Sequence, residues 1–163
     1  MASTLKVNTI QHTGGTTGMT IDSTGRILTP ARPSFMARRT SQNAAGVVVF
    51  DTAVVNQGGH YNTSNGRITE PVDGSYQFNF YSILQGNYTN AYIQLYVSGL
   101  RIKGGDYHFS YNMGSVWHTV SYSQVVSLSA NDYVEIYSYT GTGSGNVVWH
   151  GNNWGSWSGY LLG

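Results

Sequence analysis

Hydrolytic or group-transfer chemistry needs a nucleophile, a base or a metal held close together, and the residues able to supply these are few and dispersed in this chain. The five histidines, His12, His60, His108, His118 and His150, show no His-x-x-x-His or zinc-type spacing. His60 lies in a Gly-Gly-His-Tyr turn, where a structural hydrogen bond is its expected role. The seven acids, Asp22, Asp51, Glu70, Asp73, Asp106, Asp132 and Glu135, stand mostly beside turn residues. The chain has no cysteine, which removes thiolate metal sites and disulfides. The expectation is a protein that is not an enzyme, with no catalytic residue, metal site or cofactor.

Binding chemistry is better represented. In 141–157, glycines alternate with Trp149, Asn152, Trp154 and Trp157. Indole faces stack on the C–H side of sugars while Asn and His side chains hydrogen-bond hydroxyls. A second aromatic group, Tyr107, His108, Phe109, Tyr111 and Trp117, has similar chemistry. Trp149, Asn152, Trp154, Trp157, Tyr107 and Trp117 are therefore the candidate ligand residues, with core or intersubunit packing as the competing role for each ring.

Strands must position these groups. Gly58-Gly59, Asn65-Gly66 and Asp73-Gly74 are dipeptides that supply the positive φ of tight turns. After the last of them, Tyr76, Phe78 and Phe80 alternate with polar residues, so one strand face sends three rings into a core. Ile93, Leu95 and Val97 oppose Tyr92 and Tyr96; Val134 and Ile136 oppose Tyr133, Tyr137 and Tyr139. Two strands with apolar area on both faces imply a partner for the second face. The tyrosines are the candidate contact of a homotrimer. Helical periodicity is nearly absent. The fold expected is all-β, with about ten short strands in two packed antiparallel sheets.

With 163 residues the chain is one domain plus a small appendage. Pro30 and Pro33 punctuate the junction, dividing 1–32 from 33–163. In the first segment Leu5, Val7, Ile10, Met19 and Ile21 are too few to build a core alone. They are expected to pack against copies of themselves or to attach the chain to a larger particle, unless the segment is a flexible tail. A net charge of +1 gives no footprint for nucleic acid. Arg38-Arg39 reads as a solvated or interface pair. No run of 18 apolar residues suits membrane insertion, and the start lacks the apolar core of a signal peptide. Work outside a cell would then follow release by lysis or in a particle.

The run Asn56, Gly58, Gly59, His60, Tyr61, then Gly66, Ile68, Thr69, Pro71, Gly74, Tyr76, Phe78 and Phe80 resembles the central signature of the complement C1q globular head family, one of the tumour necrosis factor-like jelly rolls. The similarity continues through Leu95, Gly99, Ile102, Leu128, Asp132 and Val134 and closes at Ser158-Gly159-Tyr160-Leu161-Leu162. Ala130-Asn131 departs from the family's usual Pro-Gly turn. The resemblance implies an antiparallel jelly-roll β-sandwich that forms a trimer, with aromatic residues at subunit contacts. Some members of the family bind calcium; Asp106 and Asp132 are the available donors here, but no calcium-loop motif surrounds them. Val7 to Gln11, Met19 to Asp22 and Gly25-Arg26 resemble a module of bacteriophage fibre and tail proteins. Together the two resemblances imply a homotrimeric fibre or spike on a virion surface. Its first segment would attach to other virion proteins, and its head would adhere to a host surface receptor such as a glycan. The rival expectations are a capsid decoration or head fibre and a free carbohydrate-binding lectin.

Overall fold

The computed structural model describes residues 4–41, 46–85, 91–109, 117–140 and 148–163, with the backbone alone at 85, 91, 103–109, 140 and 148. The strands are β1 (Thr9–Gln11), β2 (Thr17–Ile21), β3 (Ile27–Leu28), β4 (Ser34–Arg38), β5 (Gly46–Val47), β6 (Thr52–Gln57), β7 (Tyr61–Asn62) and β8 (Arg67–Thr69). They continue as β9 (Gly74–Gln85), β10 (Ala91–Val97), β11 (Leu100–Phe109), β12 (His118–Leu128), β13 (Tyr133–Thr140), β14 (Val148–Trp149) and β15 (Ser156–Leu161). No helix occurs among the described residues.

Two antiparallel sheets form a jelly-roll sandwich. One runs β11-β10-β13-β8-β7 with β5 beside β13, the other β12-β9-β15-β4-β6 with β14 beside β9. The strand count exceeds the expected ten because short pieces such as β5, β7 and β14 pair separately against the long strands.

The alternation in β9 works as its sequence dictates: Tyr76, Phe78 and Phe80 are all buried. Against them come Ile93 and Leu95 of β10 and Val134 and Ile136 of β13 from the facing sheet. Trp157 of β15 meets Phe35 at 4.9 Å and Tyr61 at 5.6 Å, both edge-on. Ring pairs in such geometry add about 0.5–1.5 kcal/mol each beyond the area they bury.

Turn chemistry departs from expectation at one dipeptide. Gly58, Gly59 and Gly66 adopt φ of 85°, 76° and 71°, but Gly74 does not enter the left-handed region and instead opens β9. A Cβ there would lie 2.6 Å from Leu161 Cδ1 and 3.1 Å from the Gly163 carbonyl oxygen, so a side chain would need Leu161 to move aside. His60 contributes its backbone carbonyl to Thr69 N–H at 3.1 Å, while its ring lies against Gly58.

Residues 9–28 form a separate sheet, β1-β2-β3. Ile10 is opposite Met19 and Ile21 is opposite Ile27, so all four share one face. Ile10 and Ile27 stay largely exposed. The link to the sandwich is tied down: Gln57 Nε2 reaches the carbonyls of Thr29, Pro30 and Arg32 at 3.0, 2.9 and 2.7 Å. Arg32 also donates to the Leu162 carbonyl.

Glu70, one of the seven acids, is turned inward. Its backbone joins the 129–132 turn, donating to Asp132 O at 2.9 Å and accepting from Asn131 N at 2.7 Å. This draws the side chain to complete burial, and neither carboxyl oxygen has a hydrogen-bond partner among the described residues. Burial lifts its pKa from 4.5 to about 7, with the nearby Tyr76 hydroxyl opposing. The folded state therefore favours the protonated acid. That stabilisation is complete below pH 4.5 and is lost as pH rises through about 7. Glu70→Gln, which stays neutral, should match the wild type in melting temperature at pH 4.5 and exceed it at pH 8 by about 3 kcal/mol equivalent. Parallel pH–stability curves for the two proteins would contradict the assignment.

Candidate functional site

Three strand ends converge where β9 finishes. His118 and Trp149 both stand opposite Leu84, and Ser156 stands opposite Tyr81. Trp117 precedes β12, His150 follows β14, and Trp154 lies just ahead of β15. His150 N donates to Ile83 O at 2.9 Å. Strand alternation then sends Trp149 inward and His150 outward.

The outward side chains form a row. Trp117 and His150 have centroids 4.5 Å apart at 58°; His150 and Trp154 stack at 4.3 Å and 17°. Trp117 is 42% and Trp154 46% exposed, an unusual outlay of aromatic surface to water. His150 Nδ1 lies 2.9 Å from Gly151 O. In the neutral ring this places the proton on Nδ1 and leaves Nε2 as an acceptor.

The 150–155 loop owes its shape to segment 39–41. Asn152 N donates to Thr40 O at 3.0 Å and Asn153 N to Arg39 O at 2.6 Å. Gly151 packs so closely that a Cβ would be 2.4 Å from Thr40 O. Segment 39–41 is fixed in turn by Asp51, which accepts from Thr40 N at 2.8 Å, Ser41 N at 3.0 Å and Ser41 Oγ at 2.5 Å. Although burial acts in the other direction, these hydrogen bonds hold the Asp51 pKa down at about 2. Arg39 is 1% exposed, which corrects its reading with Arg38 as a solvated or interface pair: Arg38 is exposed and Arg39 turns into the chain's own interior. Its Nε and Nη2 donate to Ser41 O at 3.3 and 3.1 Å, and its guanidinium carbon sits 5.8 Å from the Phe50 ring centre. Burial lowers its pKa to about 10, with Asp51 opposing.

The expected ligand residues divide. Trp154, Asn152 and Trp117 are exposed and lie around the row. Trp149 and Trp157 are fully buried and are core residues, because each occupies the inward parity of its strand: Trp149 meets Phe80 edge-on at 5.7 Å. Tyr107 falls opposite Ile93 on β11, and its side chain lies outside the described residues, as does all of Tyr111. His150 was not among the expected ligand residues, although the parity of Trp149-His150 points it outward. Asp132 is occupied as a turn acceptor, from Ser98 Oγ at 2.8 Å and Ser129 N at 2.9 Å. The side chain of Asp106 lies outside the described residues.

The tyrosine face is a second surface. Tyr92 packs on Tyr139 at 6.0 Å and Tyr96 on Tyr137 at 5.1 Å. Arg67 lies 4.2 Å over Tyr133 and pairs with Glu135 at 2.7 Å. Gln94 and Glu135 are buried on this side, so the rings pave a polar floor. A cleft of about 330 Å³ opens between Tyr92, Gln94, Arg101 and Tyr139. Only Tyr139 among the five expected contact tyrosines is mostly exposed. The open face of the other sheet carries Val125, Tyr160 and Tyr81 at 52, 43 and 41% exposure.

Sequence and fold agree on the class. The C1q domain model matches residues 34–162, and the chain belongs to the C1q-domain family. Among solved structures it is similar to the globular domain of the zebrafish complement 1qA protein. That likeness has a TM-score of 0.64 at 19% identity and covers 81% of this chain and 98% of that one. No curated protein matches the chain. The matched residues begin after β1-β2-β3, and the resemblance of that segment to a phage fibre module has no counterpart among these matches.

Asp51→Asn should loosen segment 39–41 and with it the aromatic row, at a cost of about 1–3 kcal/mol. Acrylamide should then quench Trp117 and Trp154 fluorescence more strongly, with Trp149 and Trp157 still protected. Unaltered quenching would show that the row does not depend on Asp51.

Proposed function

We propose that this chain is a non-enzymatic, homotrimeric adhesive head carried on a bacteriophage virion. The observation that carries the reading is the Trp117–His150–Trp154 row, exposed yet held by strand ends and by the locked 39–41 segment. Preorganised aromatic surface of this kind loses little entropy on binding and suits the apolar face of a host glycan. Three such sites per trimer, and several trimers per particle, turn weak contacts into firm attachment through effective concentration.

The apolar face of the β1-β2-β3 sheet, with Ile10, Met19 and Ile21 and with Leu5 and Val7 leading into it, supports attachment of the chain to other virion proteins. The tyrosine face, Tyr92, Tyr96, Tyr133, Tyr137 and Tyr139, is the proposed trimer contact. A second reading places that contact on the opposite sheet, favoured by the exposure of Val125, Tyr160 and Tyr81.

Light scattering at micromolar concentration should give three times the 17.8 kDa chain mass; a single-chain mass removes the trimer. Tyr139→Lys should dissociate it if the tyrosine face is the contact, and Val125→Lys if the other sheet is. Labelled protein should be retained by intact bacteria from a panel of differing surface polysaccharides, and Trp117→Ala with Trp154→Ala should abolish retention. Retention by none of them contradicts adhesion. Antibody labelling of particles in electron microscopy separates a tail or spike position from a capsid decoration.

A further inference from the structure

The loop that presents Trp154 contains a feature that its own geometry does not require. Asn152 and Asn153 both adopt left-handed backbone, with φ of 54° and 64°. Asparagine tolerates this region better than other non-glycine residues, but as single residues and not in pairs. Elsewhere among the described residues the same demand is met by glycine, as at Gly58-Gly59 and Gly66, or by a single non-glycine residue, Ser98 or Asn131, and only here by two non-glycine residues in succession. The backbone amides of both asparagines are engaged by segment 39–41. Their side chains are exposed, and neither carboxamide has a hydrogen-bond partner among the described residues. Glycine would satisfy this turn with less strain, and the two exposed, unpartnered carboxamides beside Trp154 are free to act outside the chain.

We propose that Asn152 and Asn153 determine the specificity of the aromatic row, their carboxamides reading adjacent hydroxyls of a neutral pyranose whose C–H face lies on Trp154. The proposal rests on the adhesive reading above and gives it a ligand class. Each carboxamide offers two donors and an acceptor, which matches a vicinal diol, where each hydroxyl both gives and accepts. His150 Nε2 supplies a further acceptor beside the ring. Indoles, imidazole and carboxamides discriminate by hydroxyl geometry, whereas an acidic sugar calls for a guanidinium. Arg38, on β4 opposite Ser156, is exposed, so acidic sugars are the competing ligand that the test includes.

The test uses the full chain against immobilised neutral oligosaccharides of hexose and N-acetylhexosamine type and against sialylated and uronic-acid oligosaccharides. The double variant Asn152→Gly, Asn153→Gly keeps the permitted backbone and loses both carboxamides. Wild type should bind neutral members of the set, and the double variant should bind them at least about 10-fold more weakly with an unchanged melting temperature. Equal binding by the double variant, while Trp154→Ala still weakens it, overturns this proposal and leaves adhesion standing. Preference for acidic sugars, or no neutral sugar bound, also overturns it. Retention on bacteria that survives both Trp154→Ala and the double variant counts instead against the aromatic row as the adhesive surface.

Discussion

The sandwich and its surface site are both set by where β15 lies. The strand runs between β9 and β4, so its inward residue Trp157 is enclosed by Phe35, Phe50, Tyr61 and Phe78 from several strands. Removing a ring of that size from a packed core costs about 3–5 kcal/mol, a large part of what holds a domain of this size together. Because Trp157 fixes the register of β15, it also fixes the point at which the preceding loop leaves the sheet. Trp154 is then turned to solvent beside His150 and Trp117.

Around that anchor the polar interactions form a chain of support. Asp51 holds Thr40 and Ser41, Arg39 folds inward onto Ser41 and Phe50, and the carbonyls of Arg39 and Thr40 hold the two asparagines. Each link is a hydrogen bond of ordinary strength, and together they tie the loop to segment 39–41 at several points. A row of rings built this way suits the adhesive role proposed for it. The C1q-domain family accounts for the sandwich.

The sandwich was legible in the sequence because alternation is a local signal. Tyr76, Phe78 and Phe80 declare their parity without reference to any other strand, and the turn glycines mark where strands stop. The site was legible only in outline. Tryptophan and asparagine density in 141–157 pointed to this surface as a candidate, but four indoles with the same chemistry separate into two core and two surface residues according to strand parity, which depends on boundaries set by pairing. Arg39 and Glu70 were opaque for a related reason. Their burial follows from contacts with Ser41 and with the 129–132 turn, and composition carries no trace of either.

The four indoles also offer the most direct test. Each Nε1–H gives its own proton–nitrogen resonance, and the surface polysaccharide of a retained bacterium can be titrated into isotopically labelled protein. The account predicts that the Trp117 and Trp154 resonances move together while those of Trp149 and Trp157 stay in place. Stationary Trp117 and Trp154 signals under conditions where the polysaccharide is bound would show that the ligand sits elsewhere on the head.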